Sequence, residues 1–144
     1  MTNNDCLRRI RYILDFSDSK MIAICGLANV ETDRKEVSAW LKQDDDEDFE
    51  KCSDASFAAF LNGMIVALRG EKEGEAPRVE TKLNNNMVFM KLKIALSLKA
   101  DEILQILESA GQEISKHELS AFFRRPDHKH YRECKDQILR NFLN

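Results

Sequence analysis

The sequence repeats itself at a constant offset of 82 residues, and this repeat constrains the fold more than any other feature. The segments that align without a gap are RRIRYIL (8–14) with MKLKIAL (90–96), EVSAWLK (36–42) with ELSAFFR (118–124), and AFLN (59–62) with NFLN (141–144). Segments with the same hydrophobic pattern bury the same faces, so they build the same structural unit. The chain is therefore predicted to fold as one unit used twice.

Each copy carries the hydrophobic period of about four short helices. The apolar stripes of the first copy are Leu7, Ile10, Ile13 and Leu14; Met21, Ile22, Cys25 and Ala28; Val37, Trp40 and Leu41; and Phe57, Phe60, Leu61, Met64 and Ile65. Those of the second are Phe89, Leu92, Ala95 and Leu96; Ile103, Leu104, Leu107 and Ala110; Leu119, Phe122 and Phe123; and Leu139, Phe142 and Leu143. No segment alternates apolar and polar residues as a half-buried strand does. The sequence predicts an all-α fold of two tandem homologous repeats, each with about four helices.

The two repeats are joined by a segment of different composition. GEKEGEAPRVETKL (70–83) is charged, contains two glycines and a proline, and has no apolar period. Such a composition is typical of a linker. We therefore expect repeat 1 at 1–69, a charged linker at 70–83 and repeat 2 at 84–144.

Polar residues mark the expected helix starts. Asn4 or Asp5 is predicted to cap the first helix of repeat 1, and Asn85 or Asn86 the first helix of repeat 2, because a short polar side chain can accept from the free amides of the first turn. Ser115 with Glu118 three residues later has the pattern of a capping box. These caps fix where the helices begin.

Composition excludes several environments. The four cysteines show no C-x-x-C spacing and lie mostly within apolar helical patterns, so we expect reduced, buried thiols. No apolar run approaches the roughly 18 residues that span a bilayer, and the N-terminus lacks the hydrophobic region of a signal peptide. A cytoplasmic location without membrane association is predicted. The net charge of −3 provides no global attraction to nucleic acid, so electrostatic recognition would need a local patch.

Several motifs together resemble a known family. These are the Asn-Asn pair at the start of each repeat, FLNG at 60–63 and the run LSAFFRRPDHKHYRECKDQILRNFL at 119–143, on a duplicated chain. They resemble the YehS-like bacterial family over essentially the whole sequence. The resemblance implies an all-helical duplicated domain in a bacterial cytoplasm, and it implies no activity, cofactor or catalytic residue.

The repeats differ most between their third and fourth predicted helices. The acidic loop, KQDDDEDFEK (42–51), has two lysines and six carboxylates, whereas the basic loop, RRPDHKHYRE (124–133), has four cations, two carboxylates and two histidines. Complementary loops favour self-association or capture of a protein partner, although two solvated turns would have the same composition. The favoured interpretation is a non-enzymatic interaction or regulatory module, with partner-binding residues Arg124, Arg125, Asp127, His128, Lys129, His130, Tyr131 and Arg132.

Nucleic-acid binding is the alternative. Residues 102–125 read as helix, glycine-bearing turn and helix, with Lys116, His117, Arg124 and Arg125 as phosphate contacts. Helix pairs joined by a glycine turn are also common in helical bundles, and the corresponding loop of repeat 1 is acidic. At most one repeat could therefore bind in this way.

Neither a metal site nor a catalytic site is predicted. His128, His130 and Cys134 supply three donor types that zinc accepts, but a fourth ligand is missing and the counterparts in repeat 1 are Asp46, Asp48 and Cys52. Cys134, His128 and Asp136 are close in sequence, as a cysteine nucleophile with its base could be. No G-x-S-x-G, P-loop or dinucleotide-binding motif accompanies them. We predict no cofactor, no metal and no enzymatic activity.

Overall fold

A computed structural model of the chain describes residues 1–70 and 79–144. This part of the chain consists of α-helices and their connections, without strands, which confirms the predicted all-α duplicated fold. The helices are α1 (Asn3–Leu14), α2 (Asp18–Leu27), α3 (Arg34–Leu41), α4 (Asp54–Arg69), α5 (Asn85–Ala95), α6 (Ala100–Ser109), α7 (Lys116–Phe122) and α8 (Asp136–Phe142). Most of the predicted linker, residues 71–78, lies outside the described residues.

The duplication extends to backbone conformation. Each helix of the second repeat begins 82 residues after its counterpart in the first. The chain reverses after α1 and α5 through Asp15 and Ser97, both with φ of 53°. The turns after α2 and α6 pass through Asn29 (φ 62°) and Gly111 (φ 83°), and these residue types enter the left-handed region at least cost. Equal turns give the helices of each repeat the same order and register.

The caps of the first helices differ from the prediction. Thr2 caps α1 and Asn84 caps α5, each accepting from a backbone amide three residues later. Asn4 and Asn86 lie inside the helices, and their amides are turned to the loop that follows α3 or α7. The predicted capping box at α7 is confirmed: Glu118 N–H donates to Ser115 Oγ at 3.0 Å, and Ser115 N–H donates to Glu118 Oε1 at 3.3 Å.

The first unit, Met1–Leu83, is built around the contact between α2 and α4. Its fully buried large side chains are Leu7, Ile10, Met21, Ile24, Phe57, Phe60, Leu61 and Met64. The two helices approach so closely at Gly63 that a Cβ there would lie 1.9 Å from the carbonyl oxygen of Ile24. Ile13, predicted for the core, is 48% exposed in the last turn of α1, whereas its counterpart Ala95 is buried.

The second unit, Asn84–Asn144, has an aromatic centre. The ring of Phe89 lies 4.8 Å from that of Phe142, 5.1 Å from that of Phe123 and 6.4 Å from that of Phe122, measured between centroids. The ammonium group of Lys93 lies 5.6 Å from the centroid of Phe123, within cation–π range. Among the described residues, no helix combines the length and the apolar character that crossing a membrane requires.

Candidate interaction surface

The acidic and basic loops have the same backbone scaffold. In the acidic loop the bonds are Asp46 N–H to Gln43 O (3.0 Å), Phe49 N–H to Asp46 O (3.1 Å) and Glu50 N–H to Ala39 O (3.2 Å). In the basic loop they are His128 N–H to Arg125 O (2.9 Å), Tyr131 N–H to His128 O (3.0 Å) and Arg132 N–H to Ala121 O (3.2 Å). Each loop is therefore a defined structure that presents its side chains from equivalent positions.

A buried asparagine fixes each loop to the first helix of its repeat. Asn86 Nδ2 donates to the carbonyl oxygens of Phe122 (3.0 Å) and Arg132 (2.7 Å), and its Oδ1 accepts from Cys134 N–H at 2.9 Å. Asn4 makes the same three bonds, to Trp40 O, Glu50 O and Cys52 N–H, at 2.9, 2.9 and 3.0 Å. Both amides thus meet their hydrogen-bonding demand away from water. The sequence showed these residues as matched pairs, but only as candidate caps.

The preceding asparagines fix the end of each loop. Asn3 Nδ2 donates to Cys52 O at 3.1 Å and Asp54 Oδ1 at 2.7 Å, and Asn85 Nδ2 makes the equivalent bonds to Cys134 O and Asp136 Oδ1 at 3.0 and 2.7 Å. The bonds from Asn3 and from Leu83 N–H hold the pKa of Asp54 below its ordinary value. This carboxylate therefore stabilises the first unit above its ordinary pKa, and the contribution is lost on acidification.

One hydrogen bond inside the loop is made by chemically different side chains in the two repeats. Asp48 N–H donates to Asp46 Oδ1 at 2.8 Å in the acidic loop, and His130 N–H donates to His128 Nδ1 at 3.0 Å in the basic loop. Each bond joins residues that are two apart in sequence, and each closes the same tight turn in its own repeat. Position 46 or 128 therefore has to supply an acceptor, and the repeats do so with a carboxylate and an imidazole.

The structure brings the predicted partner-binding residues of repeat 2 close to His117, one of the predicted phosphate contacts. The ring of His130 lies 5.5 Å from that of His128 and 6.2 Å from that of His117 on α7, measured between centroids. His117, predicted as a phosphate contact, therefore adjoins the predicted partner-binding loop. The cationic and histidine side chains in this part of the second unit, all exposed, form what we call the basic surface: Lys116, His117, Arg124, Arg125, His128, Lys129, His130 and Arg132.

The other predicted site residues have different environments. Asp127 is exposed, and Tyr131 is half-buried. Lys116 Nζ lies 3.5 Å from Asp101 Oδ1, so part of its charge is compensated by an exposed ion pair. Arg124 Nη1 lies 3.4 Å from His128 Nε2. The formal positive charge of the basic surface therefore comes mainly from the loop cations Arg124, Arg125, Lys129 and Arg132.

Arg8 of α1 compensates part of the negative charge of the acidic loop. Its guanidinium donates to Lys42 O at 2.6 Å and lies 3.3 Å from Asp44 Oδ1 and 2.5 Å from Asp5 Oδ1. The counterpart of Arg8 in repeat 2 is Met90, an apolar residue. The cation that compensates the acidic loop is therefore absent from the equivalent position of the repeat whose loop is basic.

A cleft of about 570 Å³ lies beside α1 in the first unit. Its lining comprises Arg8, Arg11, Tyr12, Asp15, Phe16 and Leu41. Arg8 is paired as described, and Arg11 Nη2 lies 3.4 Å from Asp18 Oδ1. Because carboxylates of the same unit compensate both guanidinium groups, the cleft adds little net positive charge.

Burial holds the thiols of Cys25, Cys52 and Cys134 in their neutral form. Burial raises the pKa of Cys52 and of Cys134 to about 12, and that of Cys25 to about 11. Catalytic cysteines have the opposite shift, because the thiolate is the nucleophile. Cys134 is 1% exposed whereas His128 and His130 are exposed, and no group of three or more potential ligands in the described residues could hold a metal ion.

These thiols give a prediction about reactivity. At pH 8 the thiols of the native protein should react with a disulfide reagent such as Ellman's only as fast as unfolding exposes them. In denaturant all four cysteines should react rapidly. A Ser120→Cys variant, which places a thiol at an exposed position, should add one rapidly reacting group to the native protein. Rapid reaction of the unaltered native chain would contradict the burial of the thiols.

Comparison with known proteins gives the family. The family model described as "Protein of unknown function (DUF1456)" matches residues 3–70 and 85–144, one match for each repeat. The chain belongs to this family. It is also similar to "Uncharacterized protein YehS" of Escherichia coli (strain K12), with 45% identity over 145 residues, covering 99% of this chain and 92% of that protein. The predicted resemblance is thereby confirmed, and no solved structure matches the chain.

Proposed function

We propose that this protein is a non-enzymatic cytoplasmic interaction module that binds acidic protein segments through the basic surface of its second repeat. The observation that carries the proposal is the pair of loops. They share the same backbone hydrogen bonds, but one carries six carboxylates and the other four cations and two histidines. Because the scaffold is the same in both repeats, loop folding does not explain the difference in charge. Recognition of a partner does explain it.

The chemistry of the basic surface suits such a partner. Arginine is favoured at protein interfaces, and an exposed cationic patch steers an acidic partner during diffusional encounter. The acidic loop of a second copy is one segment with the required charge, so self-association is one form of the proposed function. The raised pKa values of Cys52 and Cys134 support a role without cysteine catalysis.

A charge reversal with a matched control tests this proposal. We expect Arg124→Glu with Arg125→Glu to weaken binding of a fluorescent peptide of sequence KQDDDEDFEK at least about tenfold at low salt, since two attractive charges become repulsive. Lys42→Glu with Gln43→Glu places two glutamates at the equivalent positions of the acidic loop, with a charge change of −3 against −4, and should leave peptide affinity unchanged. Circular dichroism would verify that both variants fold.

Sedimentation velocity of the same variants at low and high salt would report self-association. If the reversal at residues 124 and 125 leaves both peptide affinity and sedimentation unchanged, the basic surface is not the binding site. Dissociation of a wild-type dimer by this reversal would identify the second copy as the partner.

Nucleic-acid binding is a second candidate, favoured by the contact between His117 and His130. This contact places His117 beside the basic loop, which carries the other predicted phosphate contacts Arg124 and Arg125. The ion pair of Lys116 with Asp101 weighs against it, because a phosphate would have to compete with the carboxylate. Binding to a duplex should then weaken with salt, and neutralising Arg124 should reduce the slope by about one. A flat salt response would exclude this mode.

A further inference from the structure

We propose that the neutral ring of His128 holds the turn of the basic loop closed and that protonation of this ring opens the turn; we call this residue the latch. Mild acidification then loosens the loop and strengthens its attraction for acidic segments. The structural part of this inference stands alone, and the part about affinity rests on the proposed function. The starting observation is the hydrogen bond at 3.0 Å from His130 N–H to His128 Nδ1, which occupies the place of the Asp48–Asp46 bond in the other repeat.

The latch requires one particular tautomer. A neutral imidazole has one donor and one acceptor nitrogen, so Nδ1 can accept from His130 only when the proton is on Nε2. Arg124 Nη1, 3.4 Å from Nε2, then stands beside the ring as a neighbouring charge rather than a donor to it. We infer the Nε2–H tautomer for His128 because the contact of Nδ1 with the His130 amide is the shorter of the two.

Protonation removes the acceptor. Both nitrogens of an imidazolium are donors, so the His130 amide loses its partner when His128 gains a proton. The histidine side chain is the one whose charge ordinarily changes between pH 5 and 8. Carboxyl groups ordinarily change charge below this range, and the acceptor at the equivalent place in the acidic loop is a carboxylate oxygen, Asp46 Oδ1.

The charged and ionisable groups around His128 are cations and histidines, apart from the carboxylate of Asp127. Arg124 follows α7, His130 lies in the same loop with its ring 5.5 Å away, and His117 of α7 lies 6.2 Å beyond His130. Asp127 and Lys129 flank the residue in sequence. Three imidazolium groups this close repel one another, so protonation separates the rings as well as breaking the turn. It also adds positive charge to the basic surface.

Nuclear magnetic resonance of the full chain, labelled with nitrogen-15, tests the latch directly. At pH 8 the ring nitrogens of His128 should show the Nε2–H tautomer. Between pH 8 and 5.5 the His130 amide resonance should move to the position of an amide without a side-chain acceptor, while the Asp48 amide stays in place. An Nδ1–H tautomer at pH 8, or a His130 amide insensitive to pH, would overturn the proposal.

Two exchanges between the repeats supply matched controls. Asp46→His should transfer the pH response to the Asp48 amide, in a loop that has no other histidine. His128→Asp should keep the turn closed at both pH values and leave only the smaller effect of His117 and His130 on the His130 amide. If Asp46→His leaves the Asp48 amide insensitive to pH, a histidine at this position is not a latch.

Peptide binding separates the two proposals. The affinity of KQDDDEDFEK for the wild type should rise about tenfold from pH 8 to 5.5, because protonation adds positive charge to the basic surface, and it should rise less in His128→Asp. Binding at both pH values with a static His130 amide would leave the proposed function standing and overturn the latch. A His130 amide resonance that moves with pH, without peptide binding at either pH, would support the latch and contradict the proposed function.

Discussion

Replacing Gly63 with alanine is expected to lower the free energy of unfolding by about 3 kcal/mol, the upper end of the usual range for overpacking. The new Cβ would lie 1.9 Å from Ile24 O and 2.7 Å from Ile24 C. Real side chains do not approach backbone this closely, and a carbonyl inside α2 cannot rotate away as a flexible side chain can. The contact between α2 and α4 would have to open, which exposes the centre of the first unit.

Gly26 of α2 provides the control for this variant. It is also a helical glycine, it is exposed, and a Cβ there meets nothing within 4 Å. Gly26→Ala should therefore stabilise the protein by about 0.5–1 kcal/mol, because alanine restricts the unfolded chain and favours helix. Urea unfolding followed by circular dichroism would measure both variants. Equal midpoints for Gly63→Ala and the wild type would show that the two helices do not meet in this way.

Replacing Asn86 with alanine is expected to destabilise the protein by a comparable amount, about 2–4 kcal/mol. It leaves the carbonyls of Phe122 and Arg132 and the amide of Cys134 without their partner in a site that is 6% exposed. Asn86→Asp should not restore stability. Its carboxylate would still accept from Cys134 N–H, but it would face two carbonyl oxygens with negative charge.

The neighbouring residue provides the control. Asn85 also donates to the loop end, but it is only half-buried, so water can replace its bonds. Asn85→Ala should cost about 0.5–1.5 kcal/mol. Guanidinium unfolding of the two alanine variants would compare them. Similar small losses at both positions would mean that Asn86 does not hold the basic loop.

The thermodynamic role of Asn86 bears on the proposed function. The basic loop keeps its shape through backbone and asparagine hydrogen bonds, so its exposed arginine, lysine and histidine residues have little part in its folding. Arg124 and Arg125 can therefore be reversed in charge without loss of the scaffold, which makes the binding test interpretable. His128 is the exception, because its ring closes the turn.

Local signals in the sequence predicted the helices well. The intervals of three and four between apolar residues gave the helices in both repeats, and Ser115 with Glu118 gave the start of α7. Such features depend on residues within one or two turns of each other, so they can be read directly. The caps of α1 and α5 were misassigned because asparagine is favoured both as a cap and wherever an amide must satisfy buried backbone groups.

Part of the candidate surface could also be predicted. The opposite charges of the two loops are visible in the sequence, since the repeat places them at equivalent positions. The contact of His117 with His130 is not visible, because α7 and the basic loop meet only when the chain turns back after Phe122. The sequence alone therefore shows two residue sets that share only Arg124 and Arg125, where the structure has one surface.

The sequence by itself determined that this protein is helical, duplicated and divergent in charge between its repeats, because periodicity, internal similarity and formal charge are properties of the chain. Tertiary structure decided the roles of Asn86, Gly63 and His128. Asn86 contacts a carbonyl 46 residues away, and Gly63 is required by the backbone of another helix. His128 became a candidate latch only when its ring nitrogen was seen to face an amide. Each role depends on distances between atoms that the linear order of residues does not contain.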